Sequence, residues 1–180
     1  MKATTLAFVG PRGAGKSTLG RLVAASLRLP FFDADEALAL AVGMGASDYL
    51  RSRGEPEFRR VEEQVSSDLL RRDGVVVALG GGALLCEGVR ALVAEPRVLC
   101  VFVHAPVLTL CDRIRGSDRP PLTSLPLQRE IEVVLAARRP AYEAASVLSI
   151  DTSVGAPEEL ARTIVDFARG KFDVGATERR

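Results

Sequence analysis

The segment Gly10–Ser17, with the sequence GPRGAGKS, has the residue types and the spacing of a loop that binds phosphate groups. It matches the pattern G-x-x-x-x-G-K-[ST] and lies between a short apolar run and a segment of helical period, as that pattern requires. Glycines let backbone N–H groups converge on a phosphate. We therefore predict that Lys16 reaches the β- and γ-phosphates of a nucleotide and that Ser17 binds Mg²⁺. The alternative is a glycine-rich turn that ends in Lys-Ser by chance.

Two carboxylates follow the next apolar run: Asp33 and Asp35 come directly after Phe31-Phe32. Residues at the carboxyl ends of parallel strands line the ligand crevice of an open α/β sheet. Two carboxylates at this spacing can have different roles, with one facing a metal and the other a substrate hydroxyl. The alternative is that Asp35 only caps the helix that follows and that Asp33 merely ends the strand.

Three consecutive glycines, Gly80–Gly82, end the apolar run that begins at Val75. One tight turn does not explain three glycines, whereas backbone amides that lie very close to a ligand do; a flexible loop is the alternative. Many phosphate-loop enzymes carry a magnesium-binding aspartate at this strand. Because none is present here, Asp33 is the nearest candidate for that contact.

The elements that must position these residues alternate between short apolar runs and longer segments of helical period, which predicts an α/β fold around a mostly parallel sheet. The predicted strands are residues 6–9, 31–32, 75–79, 98–103 and 147–150. The predicted helices are residues 16–27, 36–42, 47–53, 56–72, 87–94, 106–115, 128–145 and 158–167.

Arginines lie beside several of these motifs. In the fourth predicted helix an apolar stripe of Phe58, Val61, Val65 and Leu69 predicts that Arg59, Glu62 and Glu63 lie off the core. Arg119 lies in the Pro-rich stretch 116–126, and Arg138 precedes Arg-Pro-Ala-Tyr. Any one of them, taken alone, is more often a solvated surface charge.

Composition bounds the class of protein. The chain has 180 residues, of which 47% are hydrophobic and 26% charged, with a net charge of +1. We expect one domain over residues 1–170 and a frayed tail over 171–180, with no bulk field to attract nucleic acid or a membrane. Three cysteines without Cys-x-x-Cys spacing and a single histidine argue against a multi-histidine metal site and favour the cytoplasm. The apolar run at 6–9 is too short for a signal peptide.

Taken together, the motifs resemble the shikimate kinase family. GPRGAGKS, DAD, EPEFRRVE, LGGGA, RPPL and RRPAY occur in the order and at about the spacing of that family, over roughly residues 6–151. The resemblance implies a three-layer P-loop NTPase fold with a five-stranded parallel sheet, helices on both faces and a mobile lid at about 116–126. It also implies transfer of the ATP γ-phosphoryl group to the 3-hydroxyl of shikimate, in the pathway to chorismate and the aromatic amino acids.

The resemblance assigns one set of residues to ATP and Mg²⁺. It places Ser17 and Asp33 at Mg²⁺, Lys16 and the lid residue Arg119 at the phosphates, and Arg113 against the adenine. The remaining ATP-binding positions that it implies are Gly13, Ala14, Gly15 and Thr18. The sequence departs from the family in two ways. The stretch 113–119 is one residue shorter than the common pattern, and Arg-Pro-Pro-Leu replaces Arg-Pro-Leu-Leu, which should stiffen φ at position 121.

A second set is implied for shikimate. Asp35 is assigned to the substrate hydroxyl as a catalytic residue, and Arg59 and Arg138 to the carboxylate. Backbone donors are expected at Gly81 and Gly82, and Glu62 is expected to orient the arginines. ATP and shikimate are the expected partners of a monomer.

Two other functions would also use a phosphate-binding loop: a kinase of another small acid and an ATP-binding regulatory module. A phosphate-loop kinase of another small acid, such as gluconate, would keep the loop but not the joint set of DAD, FRR and GGG. An ATP-binding regulatory module with a borrowed kinase fold would be expected to lose Asp35 or the arginines, and all are present.

Overall fold

The computed structural model of the chain describes residues 3–115 and 123–171. Its strands are β1 (Thr5–Val9), β2 (Phe31–Asp33), β3 (Val75–Ala78), β4 (Val98–His104) and β5 (Leu148–Asp151). Its helices are α1 (Lys16–Leu27), α2 (Ala34–Val42), α3 (Ala46–Arg53), α4 (Glu55–Leu70), α5 (Glu87–Val93), α6 (Val107–Arg115), α7 (Leu127–Ala145) and α8 (Pro157–Arg169). A short 3₁₀ turn, Ala83–Leu85, precedes α5.

All five strands run parallel in one sheet with the order β2-β3-β1-β4-β5. In the register, Leu6 of β1 lies opposite Val76 of β3 and Leu99 of β4. The order reverses direction at β1, so the loops after β1, β3 and β4 open into one crevice at the carboxyl edge. The predicted parallel α/β sheet is therefore confirmed.

Helices cover both faces of the sheet because successive residues of a buried strand point to opposite sides. Leu6 and Phe8 pack in one apolar cluster, which α1, α6 and α8 also line, while Ala7 and Val9 pack in another, which α4, α5 and α7 line. A third, smaller cluster around Leu38 joins α2, α3 and α4. The predicted layers are thus present.

Helix α2 begins two residues earlier than the sequence analysis predicted. The Asp33 carboxylate accepts a hydrogen bond from the N–H of Asp35 at 2.9 Å, which makes Asp33 the N-cap and places Asp35 inside the first turn. The alternative in which Asp35 caps this helix is therefore wrong, because the cap lies at the other carboxylate.

The three cysteines are free and buried, and burial raises the pKa of the Cys100 thiol to about 12. Within residues 3–115 and 123–171, no helix has both the length and the apolar character that a membrane span requires.

Candidate active site

The phosphate-binding loop joins β1 to α1 at the centre of the sheet edge. Gly10 has φ 142° and lies against β4, where a Cβ would overlap the carbonyl oxygen of Val103. Gly15 has φ 93° and leads directly into α1, whose first turn contains no acidic residue. The positive end of α1 therefore faces the loop, and no acidic residue of the helix's own first turn opposes it.

The side chains that follow the loop are arranged for an anion and a metal. The Lys16 ammonium donates to the carbonyls of Gly10 and Pro11, both at 2.9 Å, so it is folded over its own loop. The Ser17 hydroxyl donates to the second oxygen of Asp33 at 2.5 Å. This pair offers two hard oxygen ligands, which is the chemistry that Mg²⁺ prefers.

Asp35 is exposed to the cleft at the start of α2 and lies close to Gly80. A Cβ at Gly80 would lie 2.8 Å from Oε1 of Glu62 and 3.1 Å from Oδ1 of Asp35. Because two carboxylates converge on this point, only a residue without a side chain fits between them.

Glu62 lies inside the site. The prediction that it lies off the core is wrong, because the residue is only 5% exposed. One of its oxygens accepts a hydrogen bond from Arg59 at 2.5 Å, and Arg59 also contacts Glu55 at 3.3 Å. Burial raises the pKa of Glu62, and the nearby charge of Asp35 adds to that effect while Arg59 opposes it. The charge of Arg59 is what makes a buried carboxylate tolerable here.

Burial works against the charge of Arg59, but the Glu62 and Glu55 carboxylates outweigh it and hold the pKa of Arg59 above its usual value. The same guanidinium fills the space beside Gly82, where a Cβ would overlap it. None of the three glycines has a positive φ, and close approach of charged side chains explains Gly80 and Gly82, whereas a Cβ at Gly81 would make only ordinary contacts.

The carbonyl of Gly81 accepts hydrogen bonds from two side chains of α7, Arg138 at 2.9 Å and Tyr142 at 2.5 Å. This brings Arg138 of α7 to the same glycine segment that Arg59 of α4 contacts, and the charges of both arginines act on Glu62. The sequence analysis did not predict a role for Tyr142, although its position four residues after Arg138 places both on one helix face.

On the other side of the loop, Arg113 of α6 is held by Thr152, which follows β5. The guanidinium donates to Oγ1 and to the carbonyl of Thr152, both at 2.8 Å, and to the carbonyl of Gly13 at 3.2 Å. The Thr152 hydroxyl lies 2.9 Å from the carbonyl of Ala14. Thr152 was missed, although a hydroxyl residue at the carboxyl end of a parallel strand is a signal that could have found it.

A cavity of about 430 Å³ joins these parts. Its walls include Lys16, Ser17, Asp33, Asp35 and Gly81 on one side and Gly13, Gly15, Thr18, Arg113 and Thr152 on the other. Arg59, Glu62 and Arg138 adjoin it through the glycine segment. The predicted residues of the two sets thus lie around one cleft. Arg119, and with it most of the predicted lid, lies outside the described residues, as does most of the predicted tail.

His104 ends β4, and its carbonyl accepts from the N–H of Thr152 at 2.9 Å while its ring lies 5.1 Å from that of Phe102.

In the described parts of the chain no group of three or more His, Cys, Asp or Glu side chains is arranged to hold a metal.

Comparison with known proteins identifies relatives of this chain. The family model described as Shikimate kinase matches residues 12–169. A Shikimate kinase of Pseudomonas syringae pv. tomato is 40% identical over 154 residues, which cover 84% of this chain and 88% of that protein.

Solved structures agree. The fold is similar to that of the shikimate kinase from Acinetobacter baumannii in complex with shikimate, with a TM-score of 0.87, 30% identity and coverage of 93% and 94% of the two chains. A gluconokinase from Sinorhizobium meliloti is similar at a TM-score of 0.62 and 19% identity, with coverage of 93% of each chain. At that identity the likeness shows the fold alone.

Proposed function

The chain belongs to the shikimate kinase family, whose reaction transfers the γ-phosphoryl group of ATP to the 3-hydroxyl of shikimate, and we propose that this transfer takes place in the cavity around the phosphate-binding loop. The observation that carries the proposal is the placement of Asp35 in the same cavity as Lys16 and Ser17. A hydroxyl held by Asp35 therefore faces the position of a nucleotide phosphate.

For the acceptor, Asp35 would orient the reacting hydroxyl and receive its proton as the bond to phosphorus forms. Arg59 of α4 and Arg138 of α7, which both adjoin the glycine segment, would hold the carboxylate by charge-assisted hydrogen bonds. Glu62 would keep Arg59 in place through the contact at 2.5 Å. The backbone N–H groups of Gly81 and Gly82 would complete the site.

For the nucleotide, the N–H groups at the start of α1 and the Lys16 ammonium would stabilise the charge on the transferred phosphoryl group. Lys16 would exchange its bonds to the loop carbonyls for phosphate oxygens. Arg113, with both terminal nitrogens fixed by Thr152, would offer the face of its guanidinium to the adenine. The role of Arg119 at the phosphates stays a prediction.

Ser17 and Asp33 fit a magnesium ion because both present oxygen atoms at the cavity wall, 2.5 Å apart. Mg²⁺ in kinases is usually held by one or two protein oxygens together with substrate phosphates. When bound, the ion would neutralise charge on the phosphates. Asp33 would then keep capping α2 with its other oxygen.

We further propose that the protein acts as a monomer in the cytoplasm. The three free, buried cysteines support a reducing compartment. Light scattering of the purified protein tests the monomer: we expect the mass of one chain, and twice that mass would contradict the proposal.

A coupled assay of ADP release tests the proposed reaction, with shikimate, gluconate or no acceptor in parallel. We expect rapid ADP release with shikimate only, and its loss in Asp35→Asn, which keeps the shape of the side chain but cannot accept the proton. Equal rates with gluconate, or release that needs no acceptor, would contradict the proposal.

A further inference from the structure

One backbone carbonyl, that of Gly81, is shared by two donors of α7, Arg138 and Tyr142. Its residue lies beside the phosphate-binding loop, since a Cβ at Gly81 would be in ordinary contact, at 3.6 Å, with both the backbone nitrogen of Arg12 and the carbonyl oxygen of Gly10. The Arg138 guanidinium therefore already donates a hydrogen bond within the protein at the place where it is proposed to hold the carboxylate of the acceptor.

Tyr142 is built to donate to this carbonyl. It is 2% exposed, and its ring stacks on Phe102 with the centroids 5.3 Å apart. Burial raises the pKa of the phenol and the charge of Glu62 adds to it, against the opposing charge of Arg138. The phenol therefore keeps its single proton at neutral pH, and that proton points at Gly81.

The two donors differ in what else they can reach. The Gly81 carbonyl is partly buried at the cavity wall, so leaving it without a donor has a cost, and an arginine that alone satisfied it would resist turning to a ligand. With a second donor in place, the carbonyl stays satisfied when the guanidinium moves.

We propose that Tyr142 is a positioning residue for the acceptor: by satisfying the Gly81 carbonyl, it allows Arg138 to turn to the carboxylate of shikimate. The inference rests on the proposed role of Arg138. It assigns to Tyr142 no contact with either substrate.

The test is Tyr142→Phe, which keeps the ring and removes only the hydroxyl. We expect the KM for shikimate to rise about 5- to 10-fold, as one lost hydrogen bond of ordinary strength predicts. The KM for ATP should stay within about twofold of the wild type. Tyr49→Phe is the matched control, because the Tyr49 hydroxyl donates to Glu57 at 3.2 Å, away from the cavity, and its loss should change neither constant.

A second measurement separates positioning from general support. Shikimate methyl ester lacks the charge that Arg138 would hold, so its inhibition constant as a competitor should be the same for Tyr142→Phe and the wild type. Both proteins are assayed below the melting temperature of the variant. An unchanged KM for shikimate, or equal weakening of acid and ester, would overturn the inference. Failure of the wild type to phosphorylate shikimate would instead overturn the proposed function.

Discussion

A single added methyl group at Gly82 should displace the arginine that is proposed to hold the acceptor. The backbone of Gly82 has φ −105° and ψ −6°, which alanine also adopts, so Gly82→Ala tests space and not backbone strain. The new Cβ would overlap one terminal nitrogen of Arg59 and lie 3.1 Å from its Cζ. The guanidinium must therefore shift from its present position beside Glu62, and we expect this shift to break its contact with the carboxylate.

The magnitude follows from what Arg59 gives up. A hydrogen bond to a charged group is worth about 1.5 to 3 kcal/mol, and a tenfold change corresponds to about 1.4 kcal/mol, so the KM for shikimate should rise about 10- to 150-fold. The KM for ATP should not change. Because Glu62 is buried and loses its partner, the free energy of unfolding should also fall by about 1 to 3 kcal/mol.

Steady-state kinetics with each substrate varied in turn and urea unfolding measure the two effects. Gly170→Ala is the matched control, since Gly170 has φ −78° and a Cβ there would meet no atom within 4 Å. A Gly82→Ala enzyme whose KM for shikimate is unchanged would refute the reasoning, because the position of Arg59 would then not matter.

Further substitutions test the other assignments. Lys16→Met should lower turnover about 100-fold or more while the circular dichroism spectrum is retained, and more than about a tenth of wild-type turnover would contradict the role of the lysine. Asp33→Asn should raise the Mg²⁺ concentration needed for half-maximal activity with little effect on the KM for shikimate; the reverse pattern would assign the metal contact elsewhere. Arg59→Lys should weaken shikimate about tenfold or more and leave ATP unaffected, because an ammonium cannot make a two-pronged contact, and equal KM values would rule that contact out. Glu62→Gln should remove a pH dependence of stability. The raised pKa of Glu62 favours its protonated form in the folded protein, so the wild type should lose stability relative to the variant as the pH rises from 4.5 through the raised value, as urea unfolding across that range would show.

The order of strands and helices could be predicted from the sequence because hydrophobic periodicity is strong in a sheet buried on both faces. The start of α2 was also signalled, since Asp33 and Glu36 have the spacing of N-cap and N3 residues, although in the structure Asp33 caps the N–H of Asp35 and Glu36 contacts Arg21. That signal competed with the expectation that Asp33 serves a metal. The two roles are compatible, because one carboxylate oxygen caps α2 while the other, which accepts from the Ser17 hydroxyl, is the one proposed for Mg²⁺.

Glu62 shows why a helical stripe alone does not settle burial. It lies four residues after Phe58, on the same face, but carboxylates are rarely buried and residue type argued for the surface. The buried position is tolerated because Arg59, in the same turn of the helix, places its guanidinium against the Glu62 carboxylate.

Thr152 and Tyr142 could not have been predicted from periodicity, because their partners are backbone carbonyls of residues distant in sequence. Tyr142 donates to Gly81, and Thr152 contacts Ala14 and His104. A carbonyl has no residue type, so a sequence pattern can place Thr152 or Tyr142 near the site but cannot identify the carbonyl that either side chain contacts.

The strand order divides the molecule into two flanks about β1. Most of the groups proposed for the acceptor follow β2 or β3, with Arg138 of α7 as the exception, while Arg113 and Thr152, on the proposed nucleotide side, follow β4 and β5. A library that varies only the α4 turn and residues 80–82, and that keeps Asp33 and Arg138, would therefore search for new acceptors without changing the residues proposed to bind ATP and Mg²⁺. The residues that select the acceptor could in this way change separately from those that bind the nucleotide.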